Sequence, residues 1–182
     1  PETKVFYYTE TPGGTSQTHV AKYEVELDRH TEIGSLMASG LGYVPTAMPK
    51  HLVYFCGDLY YVAPNTDDLV KVTIDDRQIL ATEKLADINA NGSIPEIGAV
   101  AVDGSGWLWM GGQASNYLGK FNLYTRNRYS RTTTSSGSTY HGLTFDASNV
   151  LNGFPTADAA KVYTVDAAGN RTLRFPTAPL QA

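Results

Sequence analysis

The stretch from Gly98 to Asn122, GAVAVDGSGWLWMGGQASNYLGKFN, constrains the fold more than any other part of the chain. Ala99–Val102 is a short apolar run, and Asp103-Gly104-Ser105-Gly106 has the composition of a tight turn. Trp107-Leu108-Trp109-Met110 is a second β-prone run, and Leu118-Gly119-Lys120-Phe121 follows a polar loop with period-two alternation. Three strands joined by short turns make an antiparallel meander. Trp107 and Trp109 are expected on one face of it and Leu108 and Met110 on the other, with both faces buried.

Copies of this meander recur. Lys22, Lys71 and Lys120 stand in AKY, VKV and GKF, each 49 residues from the next. Second strands align at Val5, Leu59, Trp107 and Val150. Around them lie further strand signals: Lys4–Thr9, Val20–Leu27, where the alternation continues to Leu27, Thr31–Ala38, His51–Cys56 with a turn at Gly57-Asp58, Leu69–Ile74, Arg77–Ala86, Arg128–Ser135, Gly142–Asp146, Lys161–Val165 and Arg171–Phe175. In the last unit Asp166 sets the alignment, with Tyr163 and Val165 against Val72 and Ile74, so the lysine occurs in three copies and not four. No helix-period stretch interrupts the series. A repeat of 20–50 residues marks solenoids, propellers or arrays. The fold class is therefore all-β: one β-propeller-like domain of about four four-stranded antiparallel blades, with units near 1–49, 50–97, 98–140 and 141–182. The first unit opens at its second strand, and Pro176–Ala182 is too short to supply an inner one, so the array reads as incomplete or part of a larger ring.

The segments AVAVDGSGWLWMGG, HGLTFDASNVLNG and HLVYFCGDLYYVA resemble the propeller repeats of the NHL and streptogramin-lyase-like groups. The resemblance implies an apolar inner strand ending in an Asp-Gly turn, an aromatic second strand and a basic residue on the third. It implies blade structure, and only scattered single residues match the histidine, glutamate and magnesium site of the lyases, so that activity is not carried over.

Composition narrows the partners. A net charge of −4, a pI near 5.5 and no Lys/Arg-rich block exclude the basic field that nucleic acid needs. No apolar run is long enough for a helical membrane span. Pro1-Glu2-Thr3 lacks the features of a secretory leader, and the missing initiator Met reads as processing. Twelve Tyr with many Thr, Ser and Gly favour an extracellular or virion-surface setting, and Asn91 and Asn170 open glycosylation acceptor patterns. Cys56, the single cysteine, excludes an internal disulfide and reads as a buried small hydrophobe between Phe55 and Gly57.

Candidate chemistry sits in four groups. The three lysines could form a ring of positive charge for an acidic ligand, or pack their stems between blades while each ammonium reaches solvent or an acid; the repeat favours the second. Asp58, Asp67, Asp68, Asp75, Asp76, Asp103 and Asp146 lack a D-x-D-x-D-G loop and read as turn residues, not calcium ligands. His19 and His30 read as solvated. Lys50 and His141 fall at equivalent positions with Gly98, and His51 with Ala99 and Gly142, at the start of the inner strands. In a propeller that is one mouth of the central channel, so Lys50, His51, Glu96, Tyr140 and His141 form the candidate ligand-binding rim. No cofactor or metal is expected, because G-x-S-x-G, H-E-x-x-H, Walker and G-x-G-x-x-G motifs are absent.

The expected function is a non-enzymatic recognition or assembly module of an extracellular, virion or cell-surface structure, binding a glycan or a protein. The alternative is a channel-mouth lyase or hydrolase that uses His141 and Glu96, with or without a divalent metal. The exposed inner edge of Lys4–Thr9 is expected to pair with another chain or a missing segment.

Overall fold

The computed structural model describes residues 4–11, 17–45, 49, 51–64, 66–88, 97–113, 117–133, 139–155, 161–167 and 170–176. Within them the chain is all-β, and its one helical element is a 3-10 turn at Val25–Leu27. The first sheet holds β1 (Val5–Glu10), β2 (His19–Glu24) and β3 (Arg29–Ser35). The second holds β4 (Val53–Phe55), β5 (Asp58–Val62), β6 (Asp68–Ile74) and β7 (Ile79–Asp87). The third holds β8 (Ile97–Val102), β9 (Trp107–Gly112), β10 (Tyr117–Asn122) and β11 (Arg128–Thr133). The fourth holds β12 (Tyr140–Phe145), β13 (Leu151–Pro155), β14 (Lys161–Val165) and β15 (Arg171–Pro176). In each sheet the spatial order follows the sequence, and neighbouring strands run antiparallel.

The chain divides into two compact units, residues 1–90 with the first two sheets and residues 91–182 with the last two. In the first unit Val20, Ile33 and Leu36 pack with Leu59, Tyr61, Val70 and Val72. In the second, Ala99, Ala101 and Leu118 pack with Tyr140, Leu143, Leu151 and Val165. Each core thus lies between two sheets, as the apolar runs of β5, β6 and β8 require: strands covered on both sides lose the apolar/polar alternation of a half-exposed sheet.

The turn chemistry is regular. Asp103 Oδ1 accepts the backbone N–H groups of Ser105 (2.8 Å) and Trp107 (3.0 Å), and Asp146 Oδ1 accepts those of Ser148 (2.9 Å) and Val150 (3.0 Å). Asp166 accepts from Asn170, Asp75 from Arg77 and Gln78, and Asn122 from Tyr124 and Thr125. A short carboxylate or amide that satisfies its own turn is why Asp and Asn recur there. The inner strands fall where the turns place them, at β4, β8 and β12.

Five details of the strands and their turns differ from the sequence reading. Cys56 is exposed, because the β4–β5 connection is the two-residue turn Cys56-Gly57, with φ of 49° and 91°, between the paired residues Phe55 and Asp58. Both turn residues lie in the left-handed region, as the tightest hairpins demand. The turn sits one residue earlier than Gly57-Asp58, so Asp58, not Leu59, is the counterpart of Val5 and Trp107. That register follows from the pairs Tyr7↔Lys22, Tyr60↔Lys71 and Trp109↔Lys120.

The second strand of the first sheet stops at Glu24. Val25 N–H donates to the Lys4 carbonyl (3.0 Å), the Asp28 N–H reaches the Val25 carbonyl, and Asp28 turns the chain at φ 45°, which leaves Leu27 exposed. In the fourth sheet Asn152 pairs with Thr164, so Thr164 occupies the lysine position, and Tyr163 and Val165 match Val70 and Val72 rather than Val72 and Ile74. Finally, Leu108 and Met110 are buried, but Trp107 and Trp109 are only half-buried. Lys120 lies over both indoles, and of the two only Trp109 also packs on the second unit's apolar core.

Candidate functional site

Of the five rim residues expected from sequence, Lys50 and Glu96 lie outside the described residues. His51 precedes β4 in the first unit and is half-buried. Strand pairing puts Val53, Ala101 and Thr144 opposite Tyr60, Trp109 and Asn152, so His51, Ala99 and Gly142 are equivalent, as counted. Register shifts between Ile97 and Ala99 and between Tyr140 and Gly142 make Gly98 and His141 the extra residues of matching β-bulges. A bulge re-aims its side chain, and His141 is exposed while its neighbours Tyr140 and Leu143 are buried.

Tyr140 is a core residue. Its ring is 0% exposed and packs so closely on the second strands that a Cβ at Gly111 would lie 2.9 Å from it and one at Gly153 2.6 Å. Its hydroxyl is buried without a hydrogen-bond partner. Burial pushes that hydroxyl's pKa up, partly offset by the Arg171 charge. As placed, Tyr140 presents neither its ring nor its hydroxyl at the surface. Among the described residues, no three His, Cys, Asp or Glu side chains gather as metal ligands would.

The lysine positions are the most regular polar feature. Lys71 Nζ lies 2.8 Å from Asp58 Oδ2. Lys120 Nζ lies 4.9 Å from the Trp107 and Trp109 ring centroids, within cation–π range of both. In the fourth sheet, where Thr164 replaces the lysine, the cation comes from the outer strand: Arg174 donates to Asp146 Oδ2 (2.6 Å) and Asn152 Oδ1 (2.7 Å). Lys22 departs from this series, since the position held by Asp58 and Trp107 is Val5 in the first sheet. The lysines were singled out in the sequence, whereas their acceptors were not. A register one residue off hides Asp58 behind Leu59.

Other charged groups pair locally. His19 Nδ1 lies 2.5 Å from Glu32 and His30 Nε2 3.3 Å from Glu10, so neither ring is simply solvated. Asp58 and Asp68 are not turn residues either: Asp68 accepts from Tyr43 (2.9 Å) and pairs with Lys84 (2.5 Å).

Among the described residues the first sheet has three strands where the others have four, and nothing pairs with the edge of β1 that faces away from β2, the inner edge. The Lys4 carbonyl faces Val25, so by antiparallel alternation Phe6, Tyr8 and Glu10 direct their backbone groups to β2, and Val5, Tyr7 and Thr9 direct theirs outward. Phe6 is 61% exposed beside them. Tyr7 is anchored by stacking on Tyr54 at 4.9 Å, and Thr9 donates to the Pro49 carbonyl. Both contacts tie β1 to residues outside its own sheet, Tyr54 of β4 and Pro49.

Four consecutive antiparallel meanders define a β-propeller-like repeat protein. Solved structures agree: a chain of a nidogen/laminin complex matches with TM-score 0.63 and 17% identity, over 93% of this chain and 60% of that one. Virginiamycin B lyase from Staphylococcus aureus matches with TM-score 0.57 and 15% identity over 88% and 50%, and a Lactobacillus plantarum protein with 0.56 and 18% over 95% and 52%. These likenesses show the fold alone, and the chain spans about half the length of the structures it matches. No family model and no curated protein matches the sequence. No helix among the described residues is long and apolar enough to cross a membrane.

Proposed function

We propose that the chain is a non-enzymatic recognition or assembly module of an extracellular, virion or cell-surface structure, and that it binds protein through the open edge of β1. The observation that carries this reading is that, among the described residues, the first sheet has three strands, and its edge presents the outward backbone groups of Val5, Tyr7 and Thr9 next to the exposed Phe6. An edge of this kind takes an extended segment by strand addition: backbone hydrogen bonds supply affinity, and alternate side chains supply selectivity. Solved propeller-like neighbours include a protein bound to a D1 peptide and a chain of a nidogen/laminin complex, which supports a binding role of this general kind.

In the isolated chain the only partner is a second copy, so sedimentation at micromolar concentration should reveal self-association. A Val5→Pro, Phe6→Lys double variant removes one outward N–H and the exposed ring without touching the β1–β2 ladder, and should sediment as a monomer. A monodisperse, cooperatively unfolding monomer of the unaltered chain would sink the reading.

A further inference from the structure

The geometry points to a binding site for a carboxylate-bearing sugar, of the hexuronic acid class, in a cleft of about 320 Å³ lined by Lys22, Glu24, Arg29, Thr31, Asp76 and Arg77. The cleft belongs wholly to the first unit and does not depend on what pairs with β1. Its floor is one face of the first sheet: Lys22 stands opposite Thr31, and Glu24 opposite Arg29 two residues on. Asp76 and Arg77, from the turn between β6 and β7, form the other wall.

The repeat itself shows what is missing. Lys71 has Asp58 at 2.8 Å and Lys120 has two indoles, each held by its own second strand. At the same place Lys22 meets Val5, which accepts nothing. Glu24, the carboxylate nearest in register, is committed to Arg29 at 2.6 Å. The side chain of Lys22 is 10% exposed, yet its one ion pair is a 3.6 Å contact with Asp76, whose side chain is 94% exposed. A nearly buried ammonium needs a close acceptor, and a solvated carboxylate at that distance is a weak one.

Charge then selects the ligand. Glu24 and Arg29 neutralise each other, which leaves Lys22 and Arg77 against Asp76 and a net charge of about +1. A monoanion restores balance; a phosphate dianion overshoots and would sit against two carboxylates. A neutral sugar leaves Lys22 as it is, and a zwitterion adds no net charge. The remaining groups, the Thr31 hydroxyl and the carboxylates of Glu24 and Asp76, are the donor and acceptor set that sugar hydroxyls need. The volume lies at the lower end for small-molecule pockets, which suits one hexose ring.

Titration with D-galacturonate, followed by calorimetry or amide chemical shifts, tests this. Binding with a dissociation constant of about 1 mM is expected, with D-galactose and acetate each weaker by about tenfold or more, since each lacks one half of the recognition. Lys22→Met should weaken galacturonate by about tenfold, the value of one charge-assisted hydrogen bond, and Arg77→Ala, at an exposed turn position that leaves the fold alone, by a smaller factor. Lys161→Met in the other unit should change nothing. Absence of galacturonate binding at tens of millimolar, equal binding of acetate, or undiminished binding by both the Lys22 and Arg77 variants would each overturn the assignment.

Discussion

The Lys71 ammonium rests 2.8 Å from the carboxylate of Asp58, at a position where the first sheet has Val5 and the third Trp107. Removing the acceptor with Asp58→Ala strands a lysine that is only partly exposed but whose stem lets it reach water. A loss of about 1–2 kcal/mol is expected, well short of the cost of breaking a fully buried pair. Urea titration of the variant checks this; a change within about 0.3 kcal/mol would mean that the pair is no stronger than an ordinary surface contact.

The two tryptophans of β9 should differ. Trp109 packs on the second unit's core, meets Phe145 edge-on at 6.3 Å and donates its indole N–H to Asp103 Oδ2. Trp109→Ala should cost about 3–4 kcal/mol, and Trp107→Ala, half-buried and outside that core cluster, about 1–2 kcal/mol. Equal losses by denaturant unfolding would show that Trp107 is sandwiched as fully as a core residue.

Tyr140 carries a buried hydroxyl without a partner, and such a group costs free energy relative to a ring alone. Tyr140→Phe should therefore stabilise the chain by about 1 kcal/mol. A destabilisation of that size would reveal that the hydroxyl is bonded by something bound in the core. Gly111→Ala, by contrast, pushes a methyl against the same ring and should cost about 1–3 kcal/mol.

Asp146 links pH to stability. The Val150 N–H above all, and then Arg174, hold its carboxyl below the ordinary aspartate value. A depressed folded-state pKa means the stabilisation is complete above the unfolded value of about 3.9 and fades as pH falls through the lower folded one. Unfolding of Asp146→Asn should be less sensitive to acid over that window than unfolding of the parent chain. Parallel pH profiles would show that the turn contributes no linkage.

How much of this was legible in the sequence depended on local chemistry. Asp103 and Asp146 announce their turns because a carboxylate that caps its own backbone leaves a compositional trace, and the inner and second strands follow from them. Cys56 leaves none: it takes a left-handed conformation usually given to Asn or Gly, so the turn was placed one residue late and Leu59 took the place of Asp58 in the alignment. The same slip concealed that Asp58 answers Lys71. Val25–Leu27 kept the alternation of a strand, yet the hydrogen bond to Lys4 bends the chain away. The bulges at Gly98 and His141 were legible as a shared position but not as bulges, since an extra residue shows only when pairing is known.

Every strand in these sheets pairs with the strand next to it in sequence, and several of the connections are turns of two to five residues. Chain entropy lost on closing such short loops is small, and ordering one meander asks little of the next. A β-rich chain assembled this way escapes the slow search that distant strand partners impose, so its refolding belongs with proteins of low contact order rather than with sandwiches of the same size. Each hairpin can serve as a starting point, and the order in which the sheets form is set by which turn closes first.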